Sequence, residues 1–236
     1  MSVTTVLFDL DGTLLPMDQN VFVKKYFSML AAYLAPHGYD SGKLIDTVWK
    51  GTGAMVKNDG SSTNEEAFWR VFSSVFGEAS LGDMKLFDYF YENIFDEVKG
   101  SCGFDTRSAE TVKMIKERGL RVALATNPVF PKAATEARMR WAGLNKDDFE
   151  LYTTYDNSRY CKPNPKYYLD ICTTLDVKPE DCLMVGNDVG DDMITESLGM
   201  KVFLLTDNLI NNSGADISRY PNGSFPALIE YLNEVI

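Results

Sequence analysis

The sequence predicts an α/β protein, a parallel sheet flanked by helices with an all-helical insert near its start. Three observations carry that expectation. Short apolar runs at residues 6–8, 120–125, 183–185 and 202–205 recur along the chain, each flanked by residues at helical spacing. That alternation gives parallel strands joined by crossover helices. Between residues 17 and 100 the pattern changes to helices alone. The chain of 236 residues, 45% hydrophobic and 12% aromatic, is long enough for one large α/β unit or for a core with an insert.

In chain order, residues 6–8 read as the first buried strand. Residues 21–34 follow, with Val21, Phe22, Tyr26, Phe27, Leu30 and Leu34 on one helical face. Trp49-Lys50 stands in a loop-like stretch before Gly51 and offers a possible substrate contact; the plainer reading is a solvated surface lysine. Gly51-Thr52-Gly53 follows no strand, so it carries no nucleotide role. Thr63-Asn64-Glu65-Glu66 has capping-box spacing ahead of Phe68, Val71, Phe72 and Val75. Residues 86–95 repeat the helical pattern with further aromatics, more as packing than as a cofactor pocket. Helices are expected at 111–118, closed by Gly119, at 131–141, closed by Gly143, and at 165–174 with Pro165 in the first turn. A weak strand at 151–154, a helix at 190–198 stopped by Gly199 and an amphipathic helix at 225–235 complete the pattern.

The formal net charge is −11. Such a surface repels nucleic acid and anionic membranes, while a small phosphorylated molecule stays compatible with it, because a local metal and lysine can overcome the distant field. The four cysteines form no C-x-x-C pair, and the single histidine, His37, sits between Pro36 and Gly38 as a surface-turn residue. Neither a structural zinc site nor a histidine-driven nucleophile is expected. Met1-Ser2-Val3-Thr4-Thr5 lacks the basic and apolar regions of a secretion signal, and no run nears about 18 apolar residues. Cytoplasm is the expected location, and oligomeric state is not legible.

Ligands of parallel sheets sit where strands end, so the residues leaving each strand matter most. The first strand exits into Asp9-Leu10-Asp11-Gly12-Thr13-Leu14. Residues two apart on an extended chain point the same way, roughly 6–7 Å apart. Two carboxylates so placed are costly unless a cation or a proton neutralises one. Gly12 allows a sharp turn, and the Thr13 hydroxyl can hold it. The second strand ends in Thr126-Asn127-Pro128, where a hydroxyl and an amide can meet an anion. Lys162-Pro163 precedes a later helix, and Pro163 keeps the lysine backbone extended. The last exit is Gly186-Asn187-Asp188-Val189-Gly190-Asp191-Asp192.

This order of two aspartates, a threonine, a lysine and an acidic pair resembles the four motifs of the haloacid dehalogenase superfamily, in its phosphatase branch with an inserted helical cap. The resemblance implies a Rossmann-like core of residues 1–16 and 101–236 and a cap of residues 17–100, hinged near Leu15-Pro16 and Gly100. It implies Mg²⁺ held by Asp9, the Asp11 carbonyl and Asp188, and an Asp9 nucleophile that becomes an aspartyl-phosphate. Asp11 then serves as acid and base. Thr126, Asn127 and Lys162 bind the phosphoryl group. Many relatives carry Asp where this chain has Asn187, so the metal falls to Asp188. Asn187 and Asp192 then stand behind it, Asp192 orienting metal waters or Lys162, while Asp191 reads as helix N-terminal charge. The implied activity is a Mg²⁺-dependent phosphatase of a small metabolite. A phosphomutase of the β-phosphoglucomutase type shares all four stations, and a non-catalytic binding protein is the third reading. Asp11 argues against the dehalogenase and phosphonate-cleaving branches, which lack an acid there.

Overall fold

The computed structural model describes residues 3–236. Met1 and Ser2, which begin the stretch read above for a secretion signal, lie outside the described residues. Six parallel strands form one sheet: β1 (Thr5–Phe8), β2 (Arg121–Leu124), β3 (Leu151–Tyr152), β4 (Cys182–Gly186), β5 (Lys201–Leu205) and β6 (Asn222–Gly223). Their order is β3-β2-β1-β4-β5-β6. β1 lies centrally, with Val6 opposite Val122 on one side and Leu183 on the other.

Side chains alternate across a strand, so each short apolar run supplies both faces of the sheet. Leu7, Ala123 and Met184 pack with Tyr167, Tyr168 and Ile171 of α7 (Pro165–Leu175). Val6, Phe8, Leu124 and Val185 face the other way. There they meet α5 (Thr106–Glu117), α6 (Lys132–Trp141) and α8 (Phe225–Val235). Because all strands run in parallel, their exits fall along one edge of the sheet.

Between β1 and α5 the main elements are α1 (Gln19–Leu34), α2 (Ser41–Val56), α3 (Asn64–Phe76) and α4 (Met84–Asn93). Asp18 caps α1 through the amides of Asn20 and Val21, and Thr63 and Glu66 form the capping box that their spacing predicts. Aromatic rings fill the interior of this segment. Phe72 stacks on Phe68 and meets the edges of Trp69 and Phe87 at centroid distances of 5.1–5.9 Å. The chain enters and leaves side by side: Met17 bridges Cys102, and the Gly103 amide donates to the Pro16 carbonyl at 2.7 Å. At the start of α3 the fully buried Asn64 reaches the sheet-side loops. Its Nδ2 approaches the Pro128 carbonyl at 3.2 Å and Cys161 Sγ at 3.3 Å.

Two expectations require correction. Trp49 and Lys50 are not in a loop but within α2, whose start is fixed by Asp40 accepting from the Lys43 amide. Gly51 serves packing within this helix, since a Cβ there would lie 2.4 Å from the Phe68 ring. Residues 190–198 do not form an α-helix, and only 3₁₀ turns at Met193–Leu198 follow β4. The Asp188 carboxylate takes the amides of Gly190 and Asp191, and the Asp192 carboxylate turns back to the Asp188 amide. The Asp188 contacts are those of a helix cap, as at Asp18, yet only 3₁₀ turns follow, with Asp192 turned back instead of continuing the helix. No helix among the described residues is long and apolar enough to cross a membrane.

Phe72→Ala should cost about 3–5 kcal/mol of stability. A lower urea midpoint, with the emission of Trp69 shifting alongside, is the expected result.

Candidate active site

The site begins with the turn that ends β1. Leu15 and Thr13 return their amides to the Leu10 carbonyl, and Gly12 donates to the Leu15 carbonyl, closing a tight loop. Gly12 sits at φ +88°, a conformation that favours glycine, and a Cβ there would lie 2.4 Å from the Asn187 side chain. The Thr13 hydroxyl lies 3.1 Å from Asp9 Oδ2 and 3.0 Å from Asn187 Oδ1, so one proton serves two acceptors. Asn187 Nδ2 donates to the Asn208 carbonyl at 2.7 Å. Asn187 therefore ties the β1 loop to the β4 loop through Oδ1 and to the loop after β5 through Nδ2.

Lys162 is the centre of the site. Its ammonium group donates to Asp9 Oδ1 and to Asp192 Oδ1, both at 2.7 Å, and only 2% of its side chain is exposed. Burial opposes the charge on this lysine, but the carboxylates of Asp192 and Asp9 outweigh it and hold its pKa well above the usual lysine value. Burial raises the Asp192 carboxyl, and Lys162 offsets part of that rise. Asp192 reaches its position because Gly186 has no side chain: a Cβ there would stand 2.1 Å from the carboxylate. Tyrosines of α7 brace the loops on either side. Tyr167 donates to the Thr126 carbonyl at 2.8 Å, and Tyr168 donates to the Asp191 carbonyl at 2.6 Å.

Asp9, Asp11, Thr126, Asn127, Lys162, Asn187, Asp188 and Asp192 all line one cavity of about 320 Å³ at the sheet edge. Asp188 uses Oδ1 to hold the Gly190 and Asp191 amides. Asn127 approaches Asp191 with its Nδ2 at 3.5 Å, and its Oδ1 is buried without a partner. Asp191 does not begin a helix, contrary to expectation. It lines the cavity, and burial, with Asp188 and Asp9 nearby, pushes its carboxyl up to about 6 despite the pull of Lys162.

Arg138 is the partner that sequence reasoning misses. It is fully buried on α6, and its guanidinium bonds Asp11 Oδ2. It also donates to the Ala134 carbonyl and lies over the Phe130 ring. The signal in the sequence is an arginine among Ala134, Ala137 and Trp141, at positions where helical spacing calls for a core residue. Burial raises the Asp11 carboxyl above its usual range, and the charge of Arg138 only partly offsets this. Asp11 Oδ1 is left buried without a hydrogen-bond partner.

Among the described residues, no three His, Cys, Asp or Glu side chains form a metal cage on their own. The cavity nevertheless gathers Asp9, Asp11, Asp188, Asp191 and Asp192 against one lining lysine. This excess of negative, hard oxygen donors fits a divalent cation that keeps several of its waters, as Mg²⁺ does.

The model of the haloacid dehalogenase-like hydrolase family matches residues 3–195. The chain belongs to this family. A curated relative of this hydrolase is Pyrophosphatase PpaX of Bacillus cereus (strain ATCC 10987 / NRS 248), 25% identical over 201 residues, covering 85% of this chain and 82% of that one. Among solved structures, the 2-haloacid dehalogenase from Pseudomonas syringae pv. Tomato DC3000 aligns with TM-score 0.67 at 20% identity, over 98% of this chain and 99% of that chain. The HAD phosphatase from Thermococcus onnurineus aligns with TM-score 0.57 at 21% identity, over 98% of each chain. At these identities the structural likenesses speak for the fold alone.

Removing Arg138 strands a partly buried carboxylate. Arg138→Met should cost about 3 kcal/mol. In a double-mutant cycle with Asp11→Asn, denaturant unfolding should return a coupling of about 1–3 kcal/mol.

Proposed function

We propose that this hydrolase is a Mg²⁺-dependent phosphatase of a small phosphorylated metabolite, working through an aspartyl-phosphate on Asp9. The observation that carries this reading is the pair of unlike carboxyl groups at the β1 exit. Asp9 is partnered by Lys162 through Oδ1. Asp11 is raised by burial and keeps a free Oδ1. One carboxyl suited to attack and another suited to carry a proton are what stepwise phosphoester cleavage needs. The dehalogenase branch has no use for the second. The name of the Bacillus relative, a pyrophosphatase, favours phosphoryl chemistry as well.

In this reading Lys162 neutralises one oxygen of Asp9 and leaves Oδ2 with only a share of the Thr13 proton. That oxygen forms the bond to phosphorus as the ester P–O bond breaks. Asp11 gives its proton to the departing alkoxide. It then takes a proton from water, which attacks phosphorus and releases Asp9 and inorganic phosphate. Thr126 and Asn127 flank the phosphoryl oxygens from the end of β2. Side-chain oxygens of Asp9 and Asp188 and the main-chain carbonyl of Asp11 would hold Mg²⁺. When bound, the ion offsets negative charge between nucleophile and phosphate.

Residues 17–100 serve as a lid over the strand ends, pivoting where Pro16 and Met17 run beside Cys102 and Gly103. A closed lid excludes bulk water from the phosphoenzyme.

Phosphate release from a panel of metabolites should require added Mg²⁺ and stop with EDTA. Asp9→Asn should abolish turnover, and Asp11→Asn should lower kcat about 10²–10⁴-fold. Turnover that survives in Asp9→Asn would sink the covalent route.

A further inference from the structure

The walls of the cavity above the carboxylates carry information that the catalytic residues do not. Ten of the lining side chains are aromatic, whereas Lys162 is the only basic one among the described residues. That lysine is already committed to Asp9 and Asp192. Arg138 lies behind Asp11 and does not line the cavity. A second phosphate or a carboxylate on the substrate would therefore enter a partly enclosed space facing aspartates, with no further basic side chain to receive it. Burying such a charge unpaired is strongly unfavourable.

The aromatic wall is also poor in free polar groups. The hydroxyls of Tyr26 and Tyr91 bond each other at 2.7 Å, and the Thr52 hydroxyl returns to the Val48 carbonyl at 3.0 Å. The tyrosine pair spends one of its two protons and Thr52 spends its own, so few donors remain for a sugar-like ring of hydroxyls. Trp69 is different: its indole Nε1–H is buried beside the Tyr155 hydroxyl without making a well-formed hydrogen bond. On the other side Trp49 packs on Phe27 at 5.3 Å with half of its surface still exposed, an apolar face available to a ligand. At about 320 Å³ the space lies near the small end of known ligand pockets.

We propose that the leaving group is an uncharged, flat apolar alcohol, an aromatic or aralkyl group, carrying no second anion and at most one hydrogen-bond acceptor for Trp69. This rests on the phosphatase reading above and narrows it. It separates this chain from an enzyme that must hold two phosphates, although a relative is named a pyrophosphatase. It also stands against a mutase, whose bisphosphorylated sugar needs a second cationic site.

Two measurements on the full chain with Mg²⁺ test the idea. The first compares kcat/KM for benzyl and 2-phenylethyl phosphate with ethyl phosphate, glucose 6-phosphate, 2-phosphoglycolate and pyrophosphate. The aralkyl esters should lead by about ten- to a hundredfold, the range expected for burying one ring. Trp49→Ala should erase most of that lead, and Trp69→Phe should weaken 4-methoxybenzyl phosphate more than the unsubstituted ester. The second measures binding without turnover, by calorimetry with benzylphosphonate, methylphosphonate and phosphonoacetate. Tighter binding of benzylphosphonate in a protein that hydrolyses no ester would uphold the pocket and overturn the phosphatase reading. Preference for phosphonoacetate, or for pyrophosphate or sugar phosphate over aralkyl esters, would overturn the pocket assignment and leave phosphatase activity standing.

Discussion

The contact on which the molecule turns is the buried ammonium group of Lys162 between Asp9 and Asp192. Three chain segments distant in sequence converge on it: the exit of β1, the approach to α7 and the loop after β4. Without that cation, two carboxylates would share a pocket from which water is largely withdrawn, a costly arrangement. With it, the loops gain a common anchor. Several secondary features exist to permit it. Gly186 clears space for Asp192, Thr13 and Asn187 join the first and last loops, and the α7 tyrosines hold the carbonyls on either side.

A second buried ion pair, Arg138 with Asp11, gives the two aspartates of the β1 exit separate surroundings. They lie two positions apart, yet Asp9 meets an ammonium on one side and Asp11 a guanidinium on the other. Separate partners are how a site can give two chemically identical side chains different tasks. The guanidinium is planar and gives several donors, so it can hold Asp11 while also capping the Ala134 carbonyl of its own helix. A lysine would not reproduce that geometry.

Much of the sheet was legible because a buried parallel strand must be an unbroken apolar run, and residues 6–8, 183–185 and 202–205 are such runs. The strand-end residues were legible too, since charged and hydroxyl-bearing types stand out at the ends of apolar segments. Arg138 was not, because an arginine on a helix reads as surface until its neighbours are known to be buried. Residues 190–198 misled for a related reason: their spacing and the Asp188 cap suit a helix, but Asp192 is drawn in to Lys162 and to the Asp188 amide, and only 3₁₀ turns follow. Trp49 was misplaced because nearby glycines look like a loop, whereas Gly51 is small to admit the Phe68 ring. The division into core and lid remains an expectation from the resemblance, since the helical run between β1 and α5 is a matter of architecture rather than of movement.

Asn64 ties these layers together. Its amide is satisfied inside the protein by Asn58, Pro128 and Cys161, groups that belong to both the helical segment and the loops beneath it. If the segment lifts, those partners separate and the amide is hydrated instead. A polar latch of this kind surrenders little free energy on wetting, unlike an apolar seam, because water replaces each lost partner. If residues 17–100 move as the proposed lid, the ease of opening depends on a carboxamide remote from any bond being broken.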